Sequence, residues 1–466
     1  MLFNSLAFFV FFVVVYTLYL LLNHRWQNRL LILSSCFFYS FWNWKFLAVL
    51  FASVSVDFWC ARGMSQTSDA RRRKYLLILS IAVNLLILGF FKYFNFFVSD
   101  ALAVLRAFHL VDPGLSLGLK LILPLGISFY TFEAISYVVD VYNRKIEPAN
   151  NYWDYVLFVI YFPHLIAGPI MRAKSFLPQI TTPRKVSWDG FYEGGFLFFW
   201  GIFEKVFVAD NLAKIVNPVF AAGPYEGGDV LIALYAFAFQ IFCDFDGYSN
   251  MARGLGKAMG FDITINFNLP YFAAQVSEFW HRWHISLSTW LRDYVYIPLG
   301  GSRQNFQRTL RNLFLTMLIG GFWHGASWTF VVWGGYHGLL LTIERIKQQM
   351  GWKIALPKVF KILIVFHLMV LGWLFFRSSS LLQAQSMFHA LVFSFHVNGI
   401  FCFKFFSMAL ILLPLLLVQF LQYYRNDLMI IYRLHWVLKI FIYAVMAYLV
   451  LGWGIMKSEE FIYFQF

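Results

Sequence analysis

Arg71-Arg72-Arg73-Lys74 runs straight into Tyr75-Leu76-Leu77-Ile78-Leu79-Ser80-Ile81-Ala82-Val83-Asn84-Leu85-Leu86-Ile87-Leu88-Gly89-Phe90-Phe91-Lys92-Tyr93-Phe94. A helix needs about 20 mostly apolar residues to cross the hydrocarbon core of a bilayer, and Tyr75–Phe94 supplies them. The four cations before it mark the side on which the chain is retained, so Arg62–Lys74 is expected in the cytoplasm. This stretch predicts a protein built from membrane helices.

The same pattern recurs outward in both directions. Leu6–Leu22, Phe191–Val208, Val230–Phe245, Phe360–Phe376, Phe405–Leu421 and Trp436–Met456 are equally clear apolar segments. Leu30–Trp42 and Phe46–Cys60, joined by Asn43-Trp44-Lys45, form a pair of short, tilted or partly re-entrant helices. Leu119–Val141, Tyr155–Ile170, Leu313–Trp323 and Trp328–Ile343 are interrupted spans. The expected fold is an all-α polytopic membrane protein of about eleven to thirteen membrane segments, forming a single domain over 1–466. Met1–Leu22 lacks a basic n-region and a small-residue cleavage site, so it fits a retained first helix better than a signal peptide.

Composition agrees. Hydrophobic residues make up 60% of the chain and charged ones 13%, against roughly 25% charged in a soluble protein. A soluble core cannot hide that excess. The net charge of +14 sits in loops between apolar spans, as positive-inside bias and anionic headgroups require. Arg172–Lys185 and Arg345–Lys361 are expected on the same side as Arg62–Lys74. No basic stripe lies on a soluble fold, which excludes nucleic acid as a partner. Cys36, Cys60, Cys243 and Cys402 have no metal or redox spacing, and the first three read as packing residues. Asp112-Pro113-Gly114 and Asn217–Gly228 read as turn-rich connections.

Two segments break the helical pattern with Pro, Gly and Ser: Pro124-Leu125-Gly126-Ile127-Ser128 and Pro163-His164-Leu165-Ile166-Ala167-Gly168-Pro169. Irregular backbone at membrane depth survives only where protein or a wet cavity covers it. Close packing through small residues is the simpler explanation for each alone. Together they favour a folded core with an interior cavity.

The polar groups that suggest chemistry lie between Asp244 and His337. Ser277–Tyr296 reads as one helix with Ser277 as N-cap. Trp280, His284, Leu287, Leu291 and Tyr294 then share a face, while His281 and Arg282 point elsewhere. His324 stands in Gly320-Gly321-Phe322-Trp323-His324-Gly325-Ala326, and an ionisable group there is a functional-site candidate by default. His337, in Trp333-Gly334-Gly335-Tyr336-His337-Gly338, is its rival, and residue chemistry alone leaves both open. His284 reads equally as a buried histidine bonded to a backbone carbonyl. Asp244 and Asp246 are either a pair that orients a histidine or accepts from a cation, or a water-exposed helix end.

His281 and His284 lie at i and i+3, and no His-Glu-x-x-His spacing occurs, so no metal is expected. Neither a Gly-x-Ser-x-Gly elbow nor a nucleotide loop is present. What remains is direct transfer, in which a histidine base takes the proton from a hydroxyl that attacks an activated acyl group. Arg282, Arg292 and Arg303 are candidates for phosphate contacts or for interfacial cations.

Several motifs resemble the membrane-bound O-acyltransferase family. They are Leu123-Pro124-Leu125-Gly126-Ile127-Ser128-Phe129-Tyr130-Thr131-Phe132, Phe162–Ile170, Asp244-Phe245-Asp246-Gly247-Tyr248-Ser249, Glu278-Phe279-Trp280-His281-Arg282-Trp283-His284-Ile285-Ser286-Leu287-Ser288, Arg292–Gly301, Gly321–Ala326 and the ending Phe461–Phe466. Nearly the whole chain is covered. It is most similar to the bacterial branch that acetylates exopolysaccharides such as alginate. The related D-alanyl transferases share the Arg-Trp-His and Trp-His-Gly elements.

The resemblance implies a helical arch around a central channel, with a catalytic core of about residues 119–345 and His324 as its catalytic base. It makes His284 the second active-site residue and His337 a packing residue. Asp244, Asp246, Arg282, Trp283, Ser286, Arg292 and Trp323 are the expected substrate or donor contacts. No bound cofactor is implied. The donor is acetyl-CoA or an acyl-carrier-protein thioester, and the acceptor an exopolysaccharide, reached directly or through a relay protein or a periplasmic SGNH-type acetyltransferase. The location implied is a multi-pass protein of the bacterial cytoplasmic (inner) membrane. D-alanyl transfer to teichoic acid, and acyl transfer to lipid or protein, are alternatives within the family. A transporter without chemistry is the alternative outside it.

Overall fold

A computed structural model describes residues 1–112, 114–119, 121–165, 168–221, 223–352, 355–397, 399–455 and 461–462. Among them the chain is helical, with no strand. Six helical runs are long and apolar enough to cross a membrane: Phe46–Ser65, Ala70–Ala107, Gly227–Ala258, Lys358–Arg377, Gly399–Arg425 and Trp436–Trp453. Each coincides with an apolar segment visible in the sequence. The chain divides into two compact units, one comprising Met1–Leu2, Leu6–Lys185 and Met259–Asp262, the other Phe3–Ser5, Val186–Ala258 and Ile263–Phe466.

The first unit holds α1 (Leu6–Leu21), α2 (His24–Asn43), α3 (Phe46–Ser65), α4 (Ala70–Leu88), α5 (Phe94–Ala107), α6 (Ile127–Tyr142), α7 (Tyr152–Ile160), α8 (Phe162–Leu165) and α9 (Ala173–Thr181). Asn23 and Asp69 cap α2 and α4 by accepting the Trp26 and Arg71 amides, which satisfies donors that a helix start leaves open. Lipid-facing helices have no hydrophobic drive to associate, so small and polar side chains join them. Between α3 and α4 the Asp57 carboxylate accepts from Ser80 at 2.5 Å and Asn84 at 2.7 Å, and Ser53 donates to Asn84 at 2.9 Å. The pair joined by Asn43-Trp44-Lys45 is two full helices of 20 residues each.

Two interrupted spans are shorter than the sequence suggests. In Leu119–Val141 the helix begins only at Ile127, after Pro124 and Gly126. Gly126 has φ +70°, and a Cβ there would collide with the Leu165 carbonyl oxygen, so only glycine fits. Tyr155–Ile170 breaks at Tyr161 into α7 and α8. Ile166 and Ala167 of that motif, Pro113, Lys120, Ala222, Lys353 and Ile354 lie outside the described residues, as do Met456 and Tyr463–Phe466. Arg172–Lys185 is not a plain loop, because α9 occupies most of it.

The second unit holds α10 (Trp188–Ile202), α11 (Asp210–Ala221), α12 (Gly227–Ala258), α13 (Val276–Arg282), α14 (Ile285–Leu291), α15 (Phe306–His324), α16 (Trp328–Gln349), α17 (Lys358–Arg377), α18 (Leu381–Phe393), α19 (Gly399–Arg425), α20 (Ile430–Arg433) and α21 (Trp436–Trp453). A π-helical turn, Phe203–Ala209, links α10 to α11. Such bulges re-aim side chains, and here both Glu204 and Lys205 are buried. Two glycine contacts set the helix crossings. A Cβ at Gly201 would strike the Gly247 carbonyl oxygen of α12, and one at Gly321 of α15 the Phe330 carbonyl oxygen of α16. Glycine at these positions lets the backbones touch. The α15–α16 contact carries His324, at the end of α15, against Trp333.

Candidate active site

His324 ends α15. The next residue, Gly325, is extended, and a Cβ there would enter the Phe330 ring. The chain therefore reverses tightly into α16, capped by Ser327 accepting from the Thr329 amide. This leaves the imidazole 4% exposed. Its ring meets Trp323 and Trp333 edge-on at 5.0 Å each, and Phe376 of α17 at 5.3 Å. Three aromatic side chains thus wall the imidazole and leave it little contact with solvent.

His284 reaches the same enclosure from a different direction. The single helix expected over Ser277–Tyr296 does not form. The chain runs as α13, a break, α14, and a π-helical turn at Arg292–Tyr296. Gln275, not Ser277, occupies the N-cap position of α13. At the break Trp283 is extended and His284 is left-handed, φ 43° and ψ 55°. A non-glycine residue in that region costs of order 1–2 kcal/mol and persists only where neighbours over-determine it. Here the Ile285 amide donates to the Asn266 carbonyl at 2.8 Å, the Ser286 amide to Asn266 Oδ1 at 3.2 Å, and the Asn268 amide to the Arg282 carbonyl at 2.9 Å.

The break changes which residues share a surface. Trp280 does not lie with His284; it packs on Trp333 at 5.8 Å and His337 at 5.1 Å. His284 is fully buried. It meets Phe245 at 4.6 Å, Trp323 at 6.1 Å, and His324 at 6.4 Å between ring centroids. His281 is exposed, whereas His284 is buried. Its Nδ1 faces the Ser277 carbonyl, whereas His284 Nδ1 faces Asn266 Oδ1 at 3.2 Å. These two histidines diverge, and among the described residues no group of three His, Cys, Asp or Glu side chains is placed to hold a metal.

The remaining expected site residues separate into neighbours and scaffold. Trp323 touches both histidines, and Ser286 shares Asn266 with His284 through an Oγ–Oδ1 bond of 2.9 Å. Trp283 is buried behind them, between Phe267 at 5.0 Å and Trp373 at 4.9 Å. Arg282 binds Glu278 at 2.9 Å and donates to the Asn268 carbonyl at 3.0 Å, bracing the 266–268 segment. Arg292 pairs with Asp293 and is more than half exposed. His337 is buried between Trp333, at 4.8 Å, and the Gly372 backbone, where its Nε2 leaves no room for a Cβ.

Asp244 and Asp246 are not a hydrated helix end: both sit inside α12. Asp244 binds Lys205 at 2.7 Å and accepts from the Ile462 amide at 2.7 Å, and Lys205 also binds Asp210 at 2.7 Å. Asp246 hydrogen-bonds Glu204. Asp244 touches the histidines only through its neighbour, since the Phe245 ring lies on His284. Sequence reasoning missed Lys205 and Asn266. Lys205 is a cation inside the apolar run Phe191–Val208 and signals a buried counter-charge. Asn266 is a lone amide between Ile265 and Phe267.

Comparison with known proteins names the family. The sequence model of the membrane-bound O-acyltransferase family matches residues 149–382, a span that includes both histidines. The chain is 44% identical over 401 residues to the probable alginate O-acetylase AlgI of Pseudomonas aeruginosa, covering 85% of this chain and 75% of that one. It is 36% identical over 435 residues to a peptidoglycan O-acetyltransferase of Helicobacter pylori, covering 86% and 81%. A teichoic acid D-alanyltransferase of Bacillus subtilis is 29% identical over 273 residues, covering 54% and 68%. With its apolar helices, this makes the protein a multi-pass membrane acyltransferase, and the chain belongs to the membrane-bound O-acyltransferase family.

Proposed function

We propose that the protein transfers an acetyl group from a thioester donor to a hydroxyl destined for an exopolysaccharide such as alginate. The observation that carries this is the pair His284–His324, 6.4 Å apart in a buried aromatic enclosure. His324 acts as general base. The hydroxyl oxygen bonds to the thioester carbonyl carbon, the carbon–sulfur bond breaks, and the hydroxyl proton passes through the imidazole to the departing sulfur. No covalent enzyme intermediate is needed. Trp323, Trp333 and Phe376 keep water from competing with the hydroxyl.

The acceptor follows the relatives. The exopolysaccharide assignment rests on the 44% identity to probable alginate O-acetylases. The Helicobacter relative, covered at least as fully, supports the same chemistry on another cell-surface glycan. The donor is acetyl-CoA or an acyl-carrier-protein thioester on the cytoplasmic side. The acetyl group leaves through a channel in the catalytic core, residues 119–345, toward a relay protein or a periplasmic SGNH-type acetyltransferase. On this reading the protein works in a bacterial cytoplasmic membrane.

The test is transfer by the purified protein in detergent, with acetyl-CoA and acetylated carrier protein as donors and oligomannuronate as acceptor, alone and with the periplasmic acetyltransferase added, under conditions where the wild type turns over. Mass analysis of the glycan reads the product. Acetylation by the wild type and none by His324→Ala supports the assignment. Equal rates for the two proteins remove His324 from the reaction.

A further inference from the structure

Asn266 is buried, and its carboxamide oxygen receives three groups at once: the Ser286 amide at 3.2 Å, the Ser286 hydroxyl at 2.9 Å and His284 Nδ1 at 3.2 Å. The two ends of an amide side chain are told apart only by their partners. Here the partner decides. A backbone N–H can only donate, so the atom facing the Ser286 amide is the oxygen. Its other end, Nδ2, faces Ser249 Oγ at 3.4 Å.

That fixes the proton on His284. Two acceptors do not hydrogen-bond, so the nitrogen facing Asn266 Oδ1 must carry hydrogen. The neutral ring is then the Nδ1–H tautomer, and Nε2 holds the lone pair. The same asparagine also holds the left-handed backbone that aims the ring, through the Ile285 and Ser286 amides.

We propose that Asn266 is a positioning residue that locks His284 as a hydrogen-bond acceptor at Nε2, so that His284 holds the acceptor through a hydroxyl next to the reacting one and makes no bond to the thioester oxygen. A neutral imidazole in this tautomer refuses a carbonyl oxygen and takes an O–H. The two histidines then have different tasks: His284 accepts from a neighbouring hydroxyl of the acceptor and so fixes its position, and His324 takes the proton of the hydroxyl that attacks. This rests on the acyl-transfer reading of the His284–His324 pair.

The decisive measurement is nitrogen NMR of the full-length protein in detergent, labelled with ¹⁵N-histidine. Subtracting the His284→Gln spectrum isolates one ring among the eleven histidines. A protonated Nδ1 and a bare Nε2 are expected, and the reverse tautomer overturns the proposal. Turnover supplies the second arm. Asn266→Leu should lower kcat about 100-fold, the scale of a small misplacement of a reacting group, with donor KM unchanged. Asn266→Asp keeps the accepting oxygen and should restore kcat to within roughly tenfold of wild type. Unchanged kcat in Asn266→Leu, or no rescue by Asn266→Asp, overturns the proposal. If Asn266→Leu fails to fold, the wild-type spectrum and Asn266→Asp still decide. Failure of the acyl-transfer reading looks different: turnover survives loss of His284 and His324 while the Nδ1–H signal remains.

Discussion

His284 and His324 are forty positions apart in the sequence and 6.4 Å apart between ring centroids. One sits on a left-handed residue between two short helices, the other at the last residue of a long one. Trp323 touches both rings. Neither position is set by local structure alone: Asn266 holds the first, and the glycine contact between α15 and α16 holds the second.

The histidines of α15 and α16 should behave oppositely on substitution. His324→Ala should lower kcat per folded protein by about 10²–10⁴, the range for loss of a general base, whatever stability its own cavity costs. His337→Ala should leave kcat nearly intact and cost about 3 kcal/mol of stability through its cavity. Turnover per folded protein, read beside a thermal melt in detergent, checks both.

The glycine contact makes a second prediction. Gly321→Ala places a methyl group against the Phe330 carbonyl oxygen, which is backbone and yields only if α15 moves. His324, three residues on, moves with it. A fall in kcat of at least about tenfold is expected, since sub-ångström placement matters to proton transfer. Wild-type kcat in a stable Gly321→Ala protein would show that His324 placement does not depend on this crossing.

Lys205 lies between two carboxylates, Asp210 and Asp244, at 2.7 Å from each. Lys205→Met leaves both buried without their cation. Removing one partner of a buried ion pair costs about 3–5 kcal/mol, so the variant should melt much earlier or fail to accumulate. Asp244→Asn, which keeps an acceptor for the Ile462 amide, should be milder. Equal melting of Lys205→Met and wild type would contradict this.

Arg292 tests the phosphate-contact expectation from the other side. Its side chain is 55% exposed and pairs with Asp293, and exposed pairs contribute about 0–1 kcal/mol. Arg292→Ala should change neither melting nor donor KM beyond about twofold. A large rise in KM for acetyl-CoA would place a donor phosphate beside it.

Much of the fold was legible because a bilayer helix needs only length and apolarity, both visible in Tyr75–Phe94 and Phe405–Leu421. What failed was periodicity at Ser277–Tyr296. Hydrophobic spacing cannot register a single left-handed residue, and the hydrogen bonds that hold His284 come from Asn266, eighteen positions away. For Asp244 the expected alternative of a cationic partner holds, in Lys205, while Asp246 has a different partner on the π turn after α10, which adjacency in sequence could not show. His324 was visible as an ionisable residue among apolar ones. Its enclosure by Trp333 and Phe376 depends on helix crossings that no single segment encodes.

The central claim is that His324 is the base of an acyl transfer. The most direct measurement is the single-turnover rate of acetyl transfer from a thioester donor by purified wild-type and His324→Ala protein, each shown by its melt to be folded at the assay temperature. The account predicts that the acetyl group moves with the wild type and that its rate falls by about 10²–10⁴ in the variant. Equal single-turnover rates in two equally folded proteins would contradict it.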